Sequence, residues 1–226
     1  MTKVKRGISL AVVALLFIAA PVYAQEVSTV PEEIQRDCRG GRAVLYDECG
    51  SQTKLLLKGI SRAESEGKVL LVSYGAEWCI WCHVFQQYVK GHHSTMTYRF
   101  SHPGDNETEE VTLNERPATD PTDNAAALTT FVAERFVLLH IENYYSPDGY
   151  EVLTRTDADS TFDGGLPYIF TVDTKGRYAT HFKHNHIETR RDNGADWYRG
   201  YDRPALMAEL ARMEVAAGQA TKPNGN

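Results

Sequence analysis

Short apolar runs alternate with longer polar stretches along most of this chain, and the clearest runs have the length of buried strands. Residues 69–74 (VLLVSY) and 136–142 (FVLLHIE) are rich in aliphatic and β-branched side chains, as strands covered on both faces are. Residues 168–172 and 177–182 predict a hairpin, with the turn at residues 173–176 (DTKG). Together these runs predict a central mixed sheet.

Four segments have the apolar spacing of helices that cover such a sheet. Ser51 is a suitable N-cap for the first, and Asp202 is a suitable N-cap for the last. The second begins at Cys79 and continues until Gly91, a residue type that commonly ends helices. The predicted helices span residues 52–66, 79–91, 125–134 and 203–214.

Three polar stretches separate these elements and predict loops. Residues 92–124 contain three prolines and few aliphatic side chains, and the only regular structure we expect there is a hairpin of residues 96–100 with 109–113. Residues 144–164 and 183–201 are also expected to be loops. A connection as long as 92–124 is typical of an insertion that carries specificity or forms a lid.

The first 24 residues have the features of a signal peptide. Three basic residues precede an apolar stretch at residues 8–20, which is short for a membrane span, and residues 22–24 (VYA) fit a cleavage site. We therefore expect a periplasmic or secreted protein whose mature chain begins at Gln25. An uncleaved membrane anchor is the alternative.

Composition narrows the domain organisation and the partners. The 226 residues carry a formal net charge of −6, which argues against binding to nucleic acid or to anionic membranes. The length suits one domain, which we expect to be a monomer. We predict an N-terminal extension at residues 25–50, a domain at 51–216 and a disordered tail at 217–226.

Four cysteines in an oxidising compartment allow two disulfides. Cys38 and Cys49 flank a Gly-Gly pair and a possible short strand at residues 43–46. A structural disulfide between them would contribute about 3 kcal/mol in the chain-entropy model. The alternative is a second redox pair that relays electrons to Cys79 and Cys82.

Cys79 and Cys82 have the spacing of a redox dithiol. They follow a predicted buried strand directly and begin a predicted helix. A helix N-terminus offers unpaired N–H groups and a partial positive charge, and both favour a thiolate over a thiol. The position therefore predicts a reactive cysteine pair.

Residues 76–82 (AEWCIWC) resemble the active-site segment of thioredoxin-fold thiol–disulfide oxidoreductases. In that family the first cysteine attacks a substrate disulfide, and the second, more buried, resolves the mixed disulfide. The resemblance implies that Cys79 is the attacking thiolate and Cys82 the resolving thiol.

A second segment, residues 165–176 (GLPYIFTVDTKG), is similar to the cis-proline segment of the same family. A proline at the start of a strand loses no ladder bond, and an X–Pro bond adopts the cis form at little cost. The resemblance implies that Pro167 faces the cysteines and that Leu166 presents its backbone to a bound peptide. Trp78 and Trp81 would add a flat apolar surface for that peptide.

The family implies an α/β thioredoxin-like fold, a central mixed β-sheet flanked by helices, here with an N-terminal extension and an insertion after the active-site helix. It also implies thiol–disulfide exchange with exported protein or peptide substrates, without a cofactor. The electron donor or acceptor is open, and a membrane redox protein is one candidate. The motif favours a reductase or interchange protein over an oxidase.

Two departures from the family pattern bear on mechanism. Ser73 stands where many thioredoxins have a buried acid that handles the proton of the resolving cysteine. Glu77 is expected at the surface, so that water would carry the proton. The Ile-Trp dipeptide between the cysteines replaces Gly-Pro, and it leaves the direction of electron flow open.

Two other readings use the same residues. Residues 79–83 (CIWCH) also match the c-type haem attachment pattern, in which His83 would ligate the iron; in the redox reading His83 is a helix-surface residue. A non-catalytic binding module for a peptide or a metal is the second. No metal site is predicted, because His92, His93 and the other histidines lack a fixed ligand spacing.

Overall fold

The computed structural model describes residues 26–35, 39, 43–92, 96–100, 109–113, 122–191 and 198–220. The predicted signal peptide lies outside these residues. In the described part, the chain is an α/β protein with a mixed central sheet flanked by helices. The elements in chain order are β1 (Ser28–Val30), α1 (Gln52–Glu66), β2 (Val69–Gly75), α2 (Ile80–Val89), β3 (Met96–Phe100), β4 (Glu109–Leu113), α3 (Thr122–Arg135), β5 (Phe136–Glu142), α4 (Gly149–Thr156), β6 (Tyr168–Val172), β7 (Tyr178–His181), β8 (Glu188–Arg191), β9 (Tyr198–Tyr201) and α5 (Arg203–Ala220).

The central sheet has the strand order β1-β5-β2-β6-β7 among the described residues. β5 pairs in parallel with both β1 and β2, and Ser73 lies opposite His140 in this register. β6 pairs with β2 in the antiparallel direction, with Tyr74 opposite Tyr168, and β7 completes the predicted hairpin with β6. The sheet is therefore mixed, as predicted.

Side chains of β2 alternate between two apolar cores, one on each face of the sheet. Leu71 packs into the core formed with α2, α3 and α5, and the alternation places Ser73 on that same face. Leu70 and Val72 pack into the other core, with α1 and α4. The helix that follows the two cysteines thus covers the face to which Ser73 belongs.

The predicted helix at residues 52–66 is confirmed with its cap. The Ser51 hydroxyl accepts the N–H of Lys54, and Gly67 ends the helix at φ 65°. The Asp148 carboxylate also accepts the N–H groups of Gln52 and Thr53. Partial burial acts to raise the pKa of Asp148, but these bonds and those of the Ser51 and Thr53 hydroxyls outweigh it and hold the pKa well below its usual range.

Two predicted loops contain regular structure, and these predictions were wrong. Residues 144–164 include α4 and a 3₁₀ turn at Ala158–Thr161. The inner face of α4 consists of Gly149, Val152, Leu153 and Thr156, so only two positions gave an apolar signal. Residues 183–201 include the β8–β9 hairpin, whose sequence is mostly polar. The predicted hairpin of β3 with β4 is confirmed.

The two ends of the domain also differ from the prediction. β1 lies within the predicted extension at residues 25–50, yet it pairs with β5 in the central sheet. Residues 43–46 form bends rather than a strand. Helix α5 continues to Ala220, and Ala217, expected in the disordered tail, is buried because it lies on the inner face of this helix. Residues 221–226 lie outside the described part.

Candidate active site

The two cysteines of the motif lie where β2 leads into α2. The chain turns after Gly75, and Cys79 is the N-cap residue of α2. The Cys79 sulfur accepts the backbone N–H of Cys82 at 3.2 Å. The two sulfurs form a disulfide, with 5.3 Å between the Cα atoms. The predicted strand–turn–helix context of the CxxC pair is thus confirmed.

Both cysteines are buried in this disulfide form. Cys79 is 5% exposed and Cys82 is 1% exposed. Cys82 is thus the more buried of the two, but the difference is small. They share an apolar cluster with Leu45 and Tyr46, against which Trp78, Trp81 and Leu166 pack. The half-buried Trp78, Trp81 and Leu166 are thus the side chains that border the disulfide.

The proline segment lies beside the cysteines because of the strand order. β6 runs antiparallel to β2, and the pairing of Tyr74 with Tyr168 brings the start of β6 next to the end of β2. Leu166 and Pro167 immediately precede this pair, and the peptide bond between them is cis. Leu166 packs against the cysteine cluster. The implied peptide contact of the Leu166 backbone and the implied orientation of Pro167 towards the cysteines stay predictions.

The two tryptophans of the motif have aromatic neighbours that sequence reasoning did not identify. Trp78 meets the ring of Tyr144 edge-on at 6.4 Å, and Tyr144 is 56% exposed. Trp81 meets Tyr201, the last residue of β9, at 5.5 Å. Tyr201 comes from one of the two hairpin strands that were predicted as loop. The half-buried rings of Trp78 and Trp81 thus border the disulfide. Their role as a surface for a bound peptide stays a prediction.

Glu77 is buried rather than exposed, which corrects the prediction. Its Oε2 accepts the backbone N–H groups of Leu45 and Tyr46, both at 3.0 Å. The predicted exposure was wrong because Leu45 and Tyr46, which lie in a segment without strand structure, place their N–H groups on this carboxylate. Glu77 therefore holds the N-terminal segment over the disulfide.

His83 is also buried rather than on the helix surface. Its Nε2–H donates to the backbone carbonyl of Glu77 at 2.6 Å, and because a carbonyl can only accept, the proton is on Nε2. The same nitrogen lies 3.5 Å from Oε1 of Glu77. The imidazole thus braces the turn that carries Cys79.

A pair of hydroxyl groups lies behind Cys82. Tyr46 and Ser73 are fully buried, and their oxygens are hydrogen-bonded at 3.1 Å. A Cβ built on Gly75 would lie 2.5 Å from the Tyr46 oxygen and 2.6 Å from the Cys82 sulfur, so these two atoms occupy the space left by the missing side chain. Burial raises the pKa of Tyr46 above its usual range.

His140 lies on the other side of the Tyr46 ring. The two rings meet edge-on at 5.4 Å, and the Nε2 atom of His140 is hydrogen-bonded to the Gln86 side chain. Burial, with a smaller contribution from the charge of Lys90, lowers the pKa of His140 to about 3, so the imidazole is neutral at physiological pH. Neither Tyr46 nor His140 was identified from the sequence; Gly75, at the end of β2, was the only local signal of a close approach.

Only one cysteine of the second predicted disulfide, Cys49, lies among the described residues. Cys49 is disulfide-bonded, and Cys38 lies outside the described residues, so their pairing stays a prediction. The Asp47 carboxylate accepts the N–H groups of Cys49 and Gly50 and fixes a tight turn there. This turn follows Tyr46 directly and helps to fix the position of its backbone.

No metal or membrane feature emerges from the described residues. Within them, no group of three or more His, Cys, Asp or Glu side chains is arranged to hold a metal ion. No helix in the same part of the chain is both long enough and apolar enough to cross a bilayer.

Comparison of the chain with protein-family models, with curated proteins and with solved structures found no match.

Proposed function

We propose that this protein is an exported, thioredoxin-like thiol–disulfide oxidoreductase that uses Cys79 and Cys82. The observation that carries the proposal is the Cys79–Cys82 disulfide at the N-terminus of α2, with the cis peptide before Pro167 beside it. The five-stranded mixed sheet in the described residues, with helices on both faces, is compatible with that fold.

The proposed reaction is exchange of a disulfide with a protein or peptide substrate. The Cys79 thiolate attacks a substrate sulfur, forming a mixed disulfide and releasing the other substrate sulfur as a thiolate. Cys82 then attacks the Cys79 sulfur, the Cys79–Cys82 bond forms, and the second substrate sulfur leaves. The substrate gains two electrons and the protein dithiol loses them. An electron donor, such as a membrane redox protein, would reduce the dithiol again.

The position of His83 supports this reaction over haem attachment. The imidazole is buried and its Nε2 donates to the Glu77 carbonyl, so the ring would have to leave this site to turn a nitrogen towards a haem iron. Cys79 and Cys82 also bond to each other rather than standing apart. A Soret band in the purified protein would support the haem alternative.

A binding module with a permanently closed disulfide is the second candidate. The observation that favours it is the burial of both cysteines under Leu45, Tyr46 and their half-buried neighbours. A measured reduction potential separates the two: a structural disulfide has a potential below about −300 mV, and an exchange protein has a higher one.

The enzymatic test uses insulin, whose reduced chains precipitate. The wild-type protein with dithiothreitol should accelerate precipitation, and Cys79→Ser should abolish the acceleration because the attacking sulfur is gone. Cys82→Ser should instead accumulate a mixed disulfide with substrate, visible on a non-reducing gel. Full activity in both single variants would contradict the proposal. Ser160→Ala, on an exposed 3₁₀ turn, is the control and should match the wild type.

A further inference from the structure

We propose that the Tyr46 hydroxyl, backed by the Ser73 hydroxyl, donates a hydrogen bond to the Cys82 thiolate as that thiolate resolves the mixed disulfide. The inference rests on the proposed function, because it concerns the second step of that exchange. Tyr46, from the N-terminal segment, would thereby support the resolving cysteine in a chain that has Ser73 where many thioredoxins have a buried acid.

The geometry around Gly75 places the donor near the sulfur. The Tyr46 oxygen lies 2.5 Å and the Cys82 sulfur 2.6 Å from the point where a Cβ on Gly75 would be, so the two atoms are at most 5.1 Å apart. Gly75 itself puts no side chain into the space that they share. Both residues are fully enclosed, with Tyr46 at 0% and Cys82 at 1% exposure, so water competes little for either group.

Ser73 sets the direction in which the Tyr46 proton points. Its oxygen lies 3.1 Å from the Tyr46 oxygen, and either hydroxyl can be the donor. When Ser73 donates to Tyr46, the tyrosine proton is free to point at Cys82. Because burial raises the pKa of Tyr46, the phenol keeps that proton and acts as a donor rather than as a charged base.

Glu77 positions the donor through its backbone. Its Oε2 accepts the backbone N–H of Tyr46, and its Oε1 lies near His83. The carboxylate thus anchors the segment from which Tyr46 enters the site. The titratable groups near Tyr46 and Cys82 are Cys79, Glu77 and His83 on the turn and α2, and His140 and Glu142 on β5.

In the resolving step Cys82 gives up its proton, which ends on the departing substrate sulfur, and the Cys82 thiolate accepts the hydrogen bond from Tyr46. This thiolate attacks the Cys79 sulfur, the bond between Cys79 and the substrate breaks, and the substrate leaves as a thiolate that takes up a proton. Cys82 is oxidised and the substrate sulfur is reduced. A hydrogen bond to the charged sulfur increases the fraction of Cys82 that can attack.

The two steps can be timed separately with dithiobis(nitrobenzoate). Attack by Cys79 on this reagent releases a first nitrothiobenzoate, and resolution by Cys82 releases a second in a phase that does not depend on reagent concentration. Loss of the second phase in Cys82→Ser identifies it. Stopped-flow absorbance over a range of pH gives the rate and the pH midpoint of each phase.

Tyr46→Phe removes the hydroxyl and keeps the ring. The first phase should stay within about twofold of the wild type, the second should slow about tenfold at neutral pH, and its midpoint should rise by about one pH unit. Ser73→Ala should change the second phase in the same direction by less. If Tyr46→Phe does not fold, the Ser73→Ala shift decides. Tyr74→Phe is the control, because Tyr74 is a buried tyrosine on β2, next to Ser73, that packs into the opposite core.

Wild-type rate and pH midpoint in the second phase of Tyr46→Phe, or in that of Ser73→Ala if only this variant folds, would overturn the inference. Equal slowing in Tyr74→Phe would overturn it too, because the effect would then be a general loss of packing. Absence of both phases in the reduced wild-type protein would instead overturn the proposed function. The two failures are therefore distinguishable.

Discussion

Gly75 is the residue whose missing side chain makes the site possible. Two atoms from different parts of the chain, the Tyr46 oxygen and the Cys82 sulfur, fill the space where its Cβ would be. Gly75 is also the last residue of β2, so it pairs normally with Glu142 of the neighbouring strand. Position 75 therefore requires glycine for a steric reason: a larger side chain would collide with Tyr46 and Cys82.

Gly75→Ala should destabilise the protein and disturb the cysteine pair. A Cβ there would lie under 3 Å from both atoms, and neither can move away easily in a closed core. We expect a loss of about 1–3 kcal/mol in the free energy of unfolding, measured by denaturant titration. Gly218→Ala is the matched control: it lies on α5 with no atom within 4 Å of its Cβ position, and alanine should be neutral or stabilise by up to about 1 kcal/mol. Equal stability of the two variants would contradict the steric reading.

At the scale of elements, one irregular segment contributes more to the site than its length suggests. Residues 43–50 form no strand, and four of their N–H groups bond to carboxylates: those of Leu45 and Tyr46 to Glu77, and those of Cys49 and Gly50 to Asp47. Leu45 and Tyr46 thereby pack against the disulfide. The carboxylate of Glu77 takes the place of the adjacent strand that this segment lacks.

Glu77→Ala should release this segment from the disulfide. It leaves two backbone N–H groups without an acceptor in a buried site, which we expect to cost about 1–3 kcal/mol. Hydrogen exchange should show faster exchange at the amides of Leu45 and Tyr46. Glu151→Ala, which removes an exposed i,i+4 ion pair with Arg155 on α4, is the control and should change stability by less than about 0.5 kcal/mol. Unchanged exchange at Leu45 and Tyr46 would show that apolar packing alone holds the segment.

The elements that the sequence predicted most closely have a sustained apolar pattern, on both faces in β2 and β5 and on one face in α1. β2, β5 and α1 have long apolar patterns, and the structure has them at nearly the predicted residues. α4 and the β8–β9 hairpin have few apolar positions, and their existence depends on neighbours distant in sequence. The burial of Glu77 and His83 could not be predicted for the same reason, because the segment that covers them has no regular pattern.

At the scale of the whole molecule, the site is assembled from three separate parts of the chain. The sequence pointed to two of them, the cysteine motif and the proline segment, and the antiparallel pairing of β6 with β2 brings these together. The third part carries Tyr46, and nothing local to it indicates chemistry. A short motif identifies candidate reactive residues from the local sequence. The residues that surround them come together only in the tertiary fold, so the sequence around Tyr46 gives no sign of its position in the site.

The buried histidine of β5 predicts how the stability of the whole molecule depends on pH. The pKa of His140 falls from an ordinary 6.5 to about 3 on folding, so between these values the unfolded chain binds a proton that the folded chain does not. The contribution is fully present above pH 6.5 and is lost as the pH falls towards 3, with a slope of up to about 1.4 kcal/mol per pH unit. His140→Gln keeps a polar partner for Gln86 but cannot take up that proton. Its deficit in the free energy of unfolding relative to the wild type should therefore shrink between pH 6.5 and pH 4. Parallel stability curves for the two proteins over this range would show that His140 does not supply the acid sensitivity.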